Sequence, residues 1–240
     1  PGQATQHRMR LSVDGYTLPT PETSTPLTFP DNPGATMTAP HPLLPLIEHA
    51  IRAPSGHNTQ PWHFTLGAEC ITIAPDFSKR LPVVDPDNRE LYISLGCAAE
   101  NLRIAASHHG HATTTAIAAD GAITITLQPQ PGITPDPLFA QIPRRQTNRA
   151  TADGRRIPPS ELDAILAASQ SAGVQLHAWE NGSPAFARLG ALVMAGNTAQ
   201  MRDPTFKREL LTWIRYNRKD SERTRDGLSY AVMGAPNLPR

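Results

Sequence analysis

Apolar residues recur along this chain first with a helical period and then with a strand period. A period near 3.6 over 42–51 predicts a short helix, and a longer apolar run from Leu91 to near Gly110 predicts a central helix. Asp87 and Glu90 stand where the side-chain cap of that central helix is expected. Three more amphipathic runs predict helices at 160–168, 184–200 and 205–216. In the second of these we expect four side chains to face a core: Phe186, Leu189, Leu192 and Val193.

Alternating apolar residues predict two hairpins and one further strand. The first hairpin joins a strand at 62–66 to one at 70–74, and the second spans 112–127 with its turn at Asp120-Gly121. A further strand is expected at 174–179. Proline and glycine interrupt the pattern at 129–137, which is therefore a candidate boundary. Helices and mainly antiparallel strands together indicate an α+β fold.

Before residue 41 the pattern is lost. Prolines come too often after Tyr16 for a helix or a central strand, so we expect residues 1–40 to form an extended arm or linker after one short strand near Leu11.

Composition excludes several classes of function. The formal net charge of +1 over 240 residues gives no basic surface for nucleic acid, and no stretch has the roughly 20 apolar residues of a membrane helix. Cys70 and Cys97 form neither a disulfide framework nor a metal-binding spacing. No secretory signal core is visible, and these observations together predict a cytoplasmic location. His108, His109 and His111 are expected to lie at a solvated helix end rather than to bind a metal.

Polar side chains are concentrated between the first helix and the first strand. Arg52, Ser55, Asn58 and Gln60 lie within nine positions, and prolines and a glycine among them prevent a continuous helix. Such a turn could hold a planar ligand with an anionic group, because guanidinium binds anions and amides bind carbonyl and ring-nitrogen edges. A helix end followed by an ordinary turn explains the same residues, and both interpretations stay open on local grounds.

The spacing of this turn resembles the flavin-contacting loop of the nitroreductase family. The matching residues are Pro54, Ser55, Asn58, Gln60, Pro61 and Trp62. The long helix, with Asn101 and its small residues, resembles most closely the Acg-type branch, which has two nitroreductase-like halves in one chain. The resemblance implies an α/β/α sandwich with a mixed, mainly antiparallel sheet, FMN as cofactor and NAD(P)H as transient electron donor.

A second polar stretch follows the candidate boundary. It resembles the nitroreductase segment that grips the FMN phosphate and ribityl chain, and by position it contributes Arg144, Arg145, Gln146 and Asn148, with Arg149 as a further candidate. Gln146 stands where the family has Ser and Asn148 where it has Arg. A basic surface turn is the alternative interpretation.

The two stretches occur in the reverse of the order usual in the family. We explain this by two tandem halves, 41–137 and 138–240, with Arg52 and the loop facing Arg144 and Arg145 across their interface. The second half is shorter than a complete half, so we expect it to be truncated.

The resemblance implies an oxidoreductase that transfers a hydride from NAD(P)H through FMN to a nitro, quinone or similar acceptor in ping-pong order. No catalytic side chain and no metal are expected, a small-molecule acceptor is the expected partner, and a homodimer is left open. An FMN-binding protein without turnover and a non-enzymatic interaction module are the alternatives.

Overall fold

The computed structural model describes residues 41–147, 152–168, 173–234 and 236, and the backbone of four short strands between residues 11 and 36. The chain forms two compact units, one made of residues 1–147 and 209–240 and the other of residues 148–208. The predicted division into tandem halves stays a prediction.

The strands are, in chain order, β1 Leu11–Val13, β2 Tyr16–Leu18, β3 Thr28–Phe29, β4 Asn32–Thr36, β5 Trp62–Leu66, β6 Cys70–Pro75, β7 His111–Ile117, β8 Ile123–Pro129, β9 Ile214–Arg215 and β10 Leu228–Ser229. The α-helices are α1 Leu44–Ala50, α2 Arg89–His108, α3 Pro159–Ala168, α4 Pro184–Arg202, α5 Pro204–Trp213 and α6 Arg218–Thr224.

Six strands of the first unit form one sheet in the order β2-β1-β5-β6-β8-β7. β1 and β5 run parallel, and the other neighbours in this sheet are antiparallel. The prediction of an α+β fold with a mixed, mainly antiparallel sheet is therefore confirmed, as are both hairpins. The sheet begins inside the predicted arm, and β3 pairs with β4 further along it. The second helical layer of an α/β/α sandwich stays a prediction.

One face of this sheet carries the core of the first unit. Alternate residues of β5, β6 and β8 are buried, among them Phe64, Ile71 and Ile125, and they pack with Leu95 and Leu102 of α2 in one apolar cluster. Full burial of a side chain of this size contributes roughly 1.5–3 kcal/mol. The period of two in the sequence predicts this face because successive strand side chains point to opposite sides.

The N-terminus of α2 is capped differently from the prediction. The buried carboxylate of Asp85 accepts hydrogen bonds from the backbone amides of Glu90 at 3.0 Å and Leu91 at 2.9 Å. Asn88, at the N-cap position, has left-handed backbone and makes no side-chain cap. Asp87 lies 3.5 Å from the amide of Arg89, which is a marginal contact. The predicted cap at Asp87 is wrong because the chain turns at Asn88 and brings the earlier aspartate over the helix end.

The second unit contains α3, α4 and the start of α5. Ser183 caps α4 by accepting a hydrogen bond from the amide of Phe186, with Pro184 at the first helical position. The helix is where the sequence predicts it, but the expected burial of its apolar side is wrong, since Leu192 is 65% exposed and Phe186, Leu189 and Val193 are exposed as well. A helical apolar period predicts burial only where another surface covers that side.

The predicted strand at 174–179 does not form. This prediction is wrong, because within that range only Val174 makes a β-bridge and the rest is irregular.

None of the helices in the described ranges combines the length and the apolar content needed to cross a membrane.

Candidate functional site

The turn between α1 and β5 has an unusual backbone. A short 3-10 helix, Gly56–Asn58, follows Ser55, and His57, Asn58 and Gln60 have φ values of 46°, 54° and 57°. These lie in the left-handed region, which costs a residue with a Cβ on the order of 1 kcal/mol or more. Three such residues within four positions persist only where the surroundings hold them, and such clusters are typical of functional sites.

Hydrogen bonds inside the turn link its predicted site residues. The amide of Gln60 donates to Ser55 Oγ at 3.1 Å, and Gln60 Nε2 donates to Asn58 Oδ1 at 2.8 Å. Gln60 is only 4% exposed, and its Oε1 is buried with no hydrogen-bond partner among the described residues. A buried acceptor without a donor costs about 1–3 kcal/mol, and a ligand N–H would remove that cost. Pro54 is exposed beside this network.

A distant segment holds the same turn in place. Asn58 Nδ2 donates to the carbonyl of Gly227 at 3.0 Å, and the amide of Gly227 donates to the carbonyl of Asn58 at 2.9 Å. The sequence predicted no role for this region, although Asp226-Gly227 is a turn-forming pair. The side-chain amide of Asn58 is therefore engaged by protein on both sides, with its nitrogen bonded to Gly227 and its oxygen to Gln60.

The Arg segment and the turn meet within the first unit. Arg145 Nη2 donates to the carbonyl oxygen of Arg52 at 3.0 Å, although the two residues are 93 positions apart. Arg52 lies just past the end of α1, so this guanidinium satisfies a backbone carbonyl of the turn that follows the helix. Arg144 and Gln146 are exposed beside Arg145. Asn148 and Arg149 lie outside the described residues.

The face of α2 beside Arg145 carries two polar groups. Burial raises the pKa of the Cys97 thiol, and the neighbouring Arg145 guanidinium opposes that shift without cancelling it. Asn101 Nδ2 donates to the carbonyl of His49 at 3.2 Å and so holds the end of α1 against α2. Cys97 is thus a half-buried neighbour of the Arg145 side chain.

Histidines and one phenylalanine surround the same end of α1. The ring of Phe139 stacks on His108 at a centroid distance of 3.8 Å and meets His49 edge-on at 4.8 Å. Burial lowers the pKa of His49, and His109 and Arg52 lower it further. Burial also lowers the pKa of His109, and the nearby His108 and His111 lower it further. His108 and His109 are exposed at the end of α2, as predicted, and their rings also contact each other at a centroid distance of 5.6 Å.

In the described ranges, no group of three or more histidine, cysteine or acidic side chains is arranged to hold a metal ion. The ligand chemistry available at the turn is therefore that of guanidinium, amide and hydroxyl groups. Such groups bind phosphate oxygens and the hydrogen-bonding edges of a heterocycle.

Comparison with known proteins finds similar sequences among curated proteins. No protein-family model matches the chain. Two curated proteins, from two strains of Mycobacterium tuberculosis, are each 32% identical over 176 residues, and each bears the name "Putative NAD(P)H nitroreductase". The match covers 68% of this chain and 48% of each relative, so the chain spans about half the length of these curated relatives.

A third Mycobacterium tuberculosis protein, named "Uncharacterized protein", is 26% identical over 189 residues, covering 74% of this chain and 25% of that protein. The two named relatives support the nitroreductase family predicted from the turn and the long helix. The Acg-type branch stays a prediction.

Proposed function

We propose that the turn at 52–62 and the Arg segment that starts at Arg144 bind FMN, and that the chain is an FMN-dependent oxidoreductase or part of one. Its reaction would carry a hydride from NAD(P)H to a nitro, quinone or similar small-molecule acceptor in ping-pong order. The observation that carries the proposal is the contact of Arg145 with the carbonyl of Arg52, which brings the two polar stretches to one place. The names of the relatives support the class of reaction.

The described residues fit the two ends of FMN. Arg144 and Arg145 are exposed cations beside the turn, and a charge-assisted hydrogen bond to phosphate contributes about 1.5–3 kcal/mol. The unpartnered Oε1 of buried Gln60 is an acceptor that a ring N–H of the flavin could satisfy. Ser55 and Pro54 complete the proposed contacts of the turn, and Gln146, Asn148 and Arg149 complete those of the Arg segment.

FMN, when bound, would supply the hydride and electron transfer chemistry. The side chains of this chain would bind and orient it, and no nucleophile or general base is required of them. Arg52 is half-buried beside His49, and a cation at that position would stabilise negative charge on the bound ligand. The proposal keeps the cytoplasmic location and leaves a homodimer to be tested.

Anaerobic reduction tests the proposed activity. The purified chain is loaded with FMN, and its visible flavin bands are followed after addition of NADPH and then of a quinone. We expect the bands to bleach with NADPH and to return with the quinone. Bands that persist in NADPH would contradict the reductase and favour an FMN-binding protein without turnover. Arg155→Gln, which replaces an exposed arginine whose partner is Asp153, should bleach and recover as the unaltered chain does.

A further inference from the structure

The segment 213–229 touches the strained turn through one glycine. Gly227 exchanges two hydrogen bonds with Asn58, one with its backbone and one with its side chain. Its φ is +78°, and an added Cβ would lie 2.4 Å from the carbonyl oxygen of Trp213. Only glycine therefore fits at this point, and its backbone can approach Asn58 closely.

Asp226, the neighbour of that glycine, is fixed by two cations. Its carboxylate lies 2.6 Å from Arg215 Nη2 and 3.6 Å from Lys79 Nζ. The side chains of Asp226 and Arg215 are 16% and 13% exposed, so solvent screens this pair less than an ordinary surface pair. Arg215 also donates to Thr224 Oγ1 at 2.9 Å and to the carbonyl of Thr212 at 2.8 Å, which fixes the guanidinium itself.

These contacts form a continuous chain of polar interactions toward the proposed ligand. Lys79 and Arg215 hold Asp226, the adjacent Gly227 holds Asn58, and Asn58 accepts a hydrogen bond from Gln60. Asn58 and Gln60 are two of the three left-handed residues of the turn. Within the turn, the amide of Asn58 donates to the carbonyl of Ser55 at 2.9 Å, and the paired bonds with Gly227 hold Asn58 from outside the turn.

We propose that Asp226 is a positioning residue of the proposed flavin site, and that its ion pairs with Arg215 and Lys79 hold Asn58 and Gln60 in their left-handed conformation. The inference rests on the proposed function for its ligand. It does not require Asp226 to touch the ligand, and it concerns the turn rather than the phosphate grip at Arg145.

Asp226→Asn tests the role, since it removes the charge and keeps the shape. In the apo protein we expect amide hydrogen exchange of a peptide covering 54–61 to be about tenfold faster, because the turn opens more often. Affinities for FMN and for riboflavin, which lacks the phosphate, should both fall about tenfold and by the same factor. Glu222→Gln is the matched control, because it breaks the exposed Arg218–Glu222 pair of α6 and should change neither quantity.

Lys79→Gln is the second variant and leaves the Arg215–Asp226 pair in place. It should give a smaller change of the same kind even if Asp226→Asn fails to fold. Unchanged exchange at 54–61 in a folded Asp226→Asn protein would overturn the inference, as would a loss of affinity for FMN alone. If the unaltered chain binds no flavin, the proposed function fails, and the exchange experiment still decides whether Asp226 holds the turn.

Discussion

Arg145 donates a hydrogen bond of 3.0 Å from its guanidinium to the carbonyl oxygen of Arg52. The contact joins a segment predicted to grip a phosphate to a turn predicted to hold the flavin ring. Both residues belong to the first unit, so a second chain is not needed for these two stretches to meet. Whether they descend from two tandem halves stays a prediction.

Replacing Arg145 should separate phosphate binding from ring binding. For Arg145→Gln we expect a loss of FMN affinity of about tenfold or more, from a lost charge-assisted hydrogen bond of about 1.5–3 kcal/mol. Riboflavin affinity should change little, because riboflavin lacks the phosphate. Fluorescence titrations with both ligands check this, with Arg155→Gln as the control. An equal loss for both ligands would place Arg145 at the ring or in a purely structural role.

The backbone of Asn58 can be tested with two substitutions that remove the same side-chain bonds. Asn58→Ala and Asn58→Gly both lose the side-chain bonds to Gly227 and Gln60 and keep the backbone bond to Gly227, but only alanine keeps a Cβ at a φ of 54°. We expect the alanine variant to be less stable than the glycine variant by about 1 kcal/mol in denaturant unfolding. Equal stabilities, or a more stable alanine variant, would show that the turn relaxes out of the left-handed region.

The cap of α2 gives a prediction with an internal control. Asp85→Ala should lower the free energy of unfolding by about 1–2 kcal/mol, because two amides of the helix terminus lose their acceptor. Asp87→Ala should cost less than about 0.5 kcal/mol, since its contact with Arg89 is marginal. Urea unfolding of the two variants measures both values. A larger loss for Asp87→Ala would restore the cap that the sequence predicted.

The packed histidines predict a dependence of stability on pH. The folded-state pKa values of His49 and His109 lie below their ordinary value of 6.5. At pH values between the folded-state pKa and 6.5, the unfolded chain therefore binds more protons than the folded chain. The free energy of unfolding should therefore fall as the pH drops below about 6.5, and the loss should end below the folded-state values.

His49→Gln isolates this effect. The slope of stability against pH between about pH 7 and pH 5 should be smaller in the variant than in the unaltered chain. His177→Gln serves as the control, because His177 is exposed and stacks only on Trp179 among the ring contacts described. An unchanged slope in His49→Gln would mean that this imidazole titrates alike in the folded and unfolded chain.

Local pattern predicted the elements of the first unit better than their contacts. The strand Trp62–Leu66 has the predicted bounds because side-chain alternation follows directly from the strand period. The cap of α2 was missed because a left-handed residue, Asn88, redirects the chain before the helix. Burial on α4 was predicted wrongly because its residues show an apolar side but cannot show what covers it.

The residues of the candidate site could be proposed from the sequence, whereas the distant contacts that support them could not. Arg52, Ser55, Asn58 and Gln60 could be singled out because they lie close together in sequence. The hydrogen bond between Asn58 and Gly227 spans 169 positions and leaves no periodic trace in the sequence. The left-handed backbone of Gln60 could not be predicted from its residue type, because mainly glycine, and sometimes asparagine or aspartate, visit that region.

Equilibrium titration of the purified chain with FMN tests the central claim most directly. Binding at the turn should quench flavin fluorescence and shift the visible bands in a saturable way, with one FMN for each chain. A spectrum that remains the sum of free FMN and protein at excess FMN would contradict a flavin site at Arg52–Trp62 and Arg145.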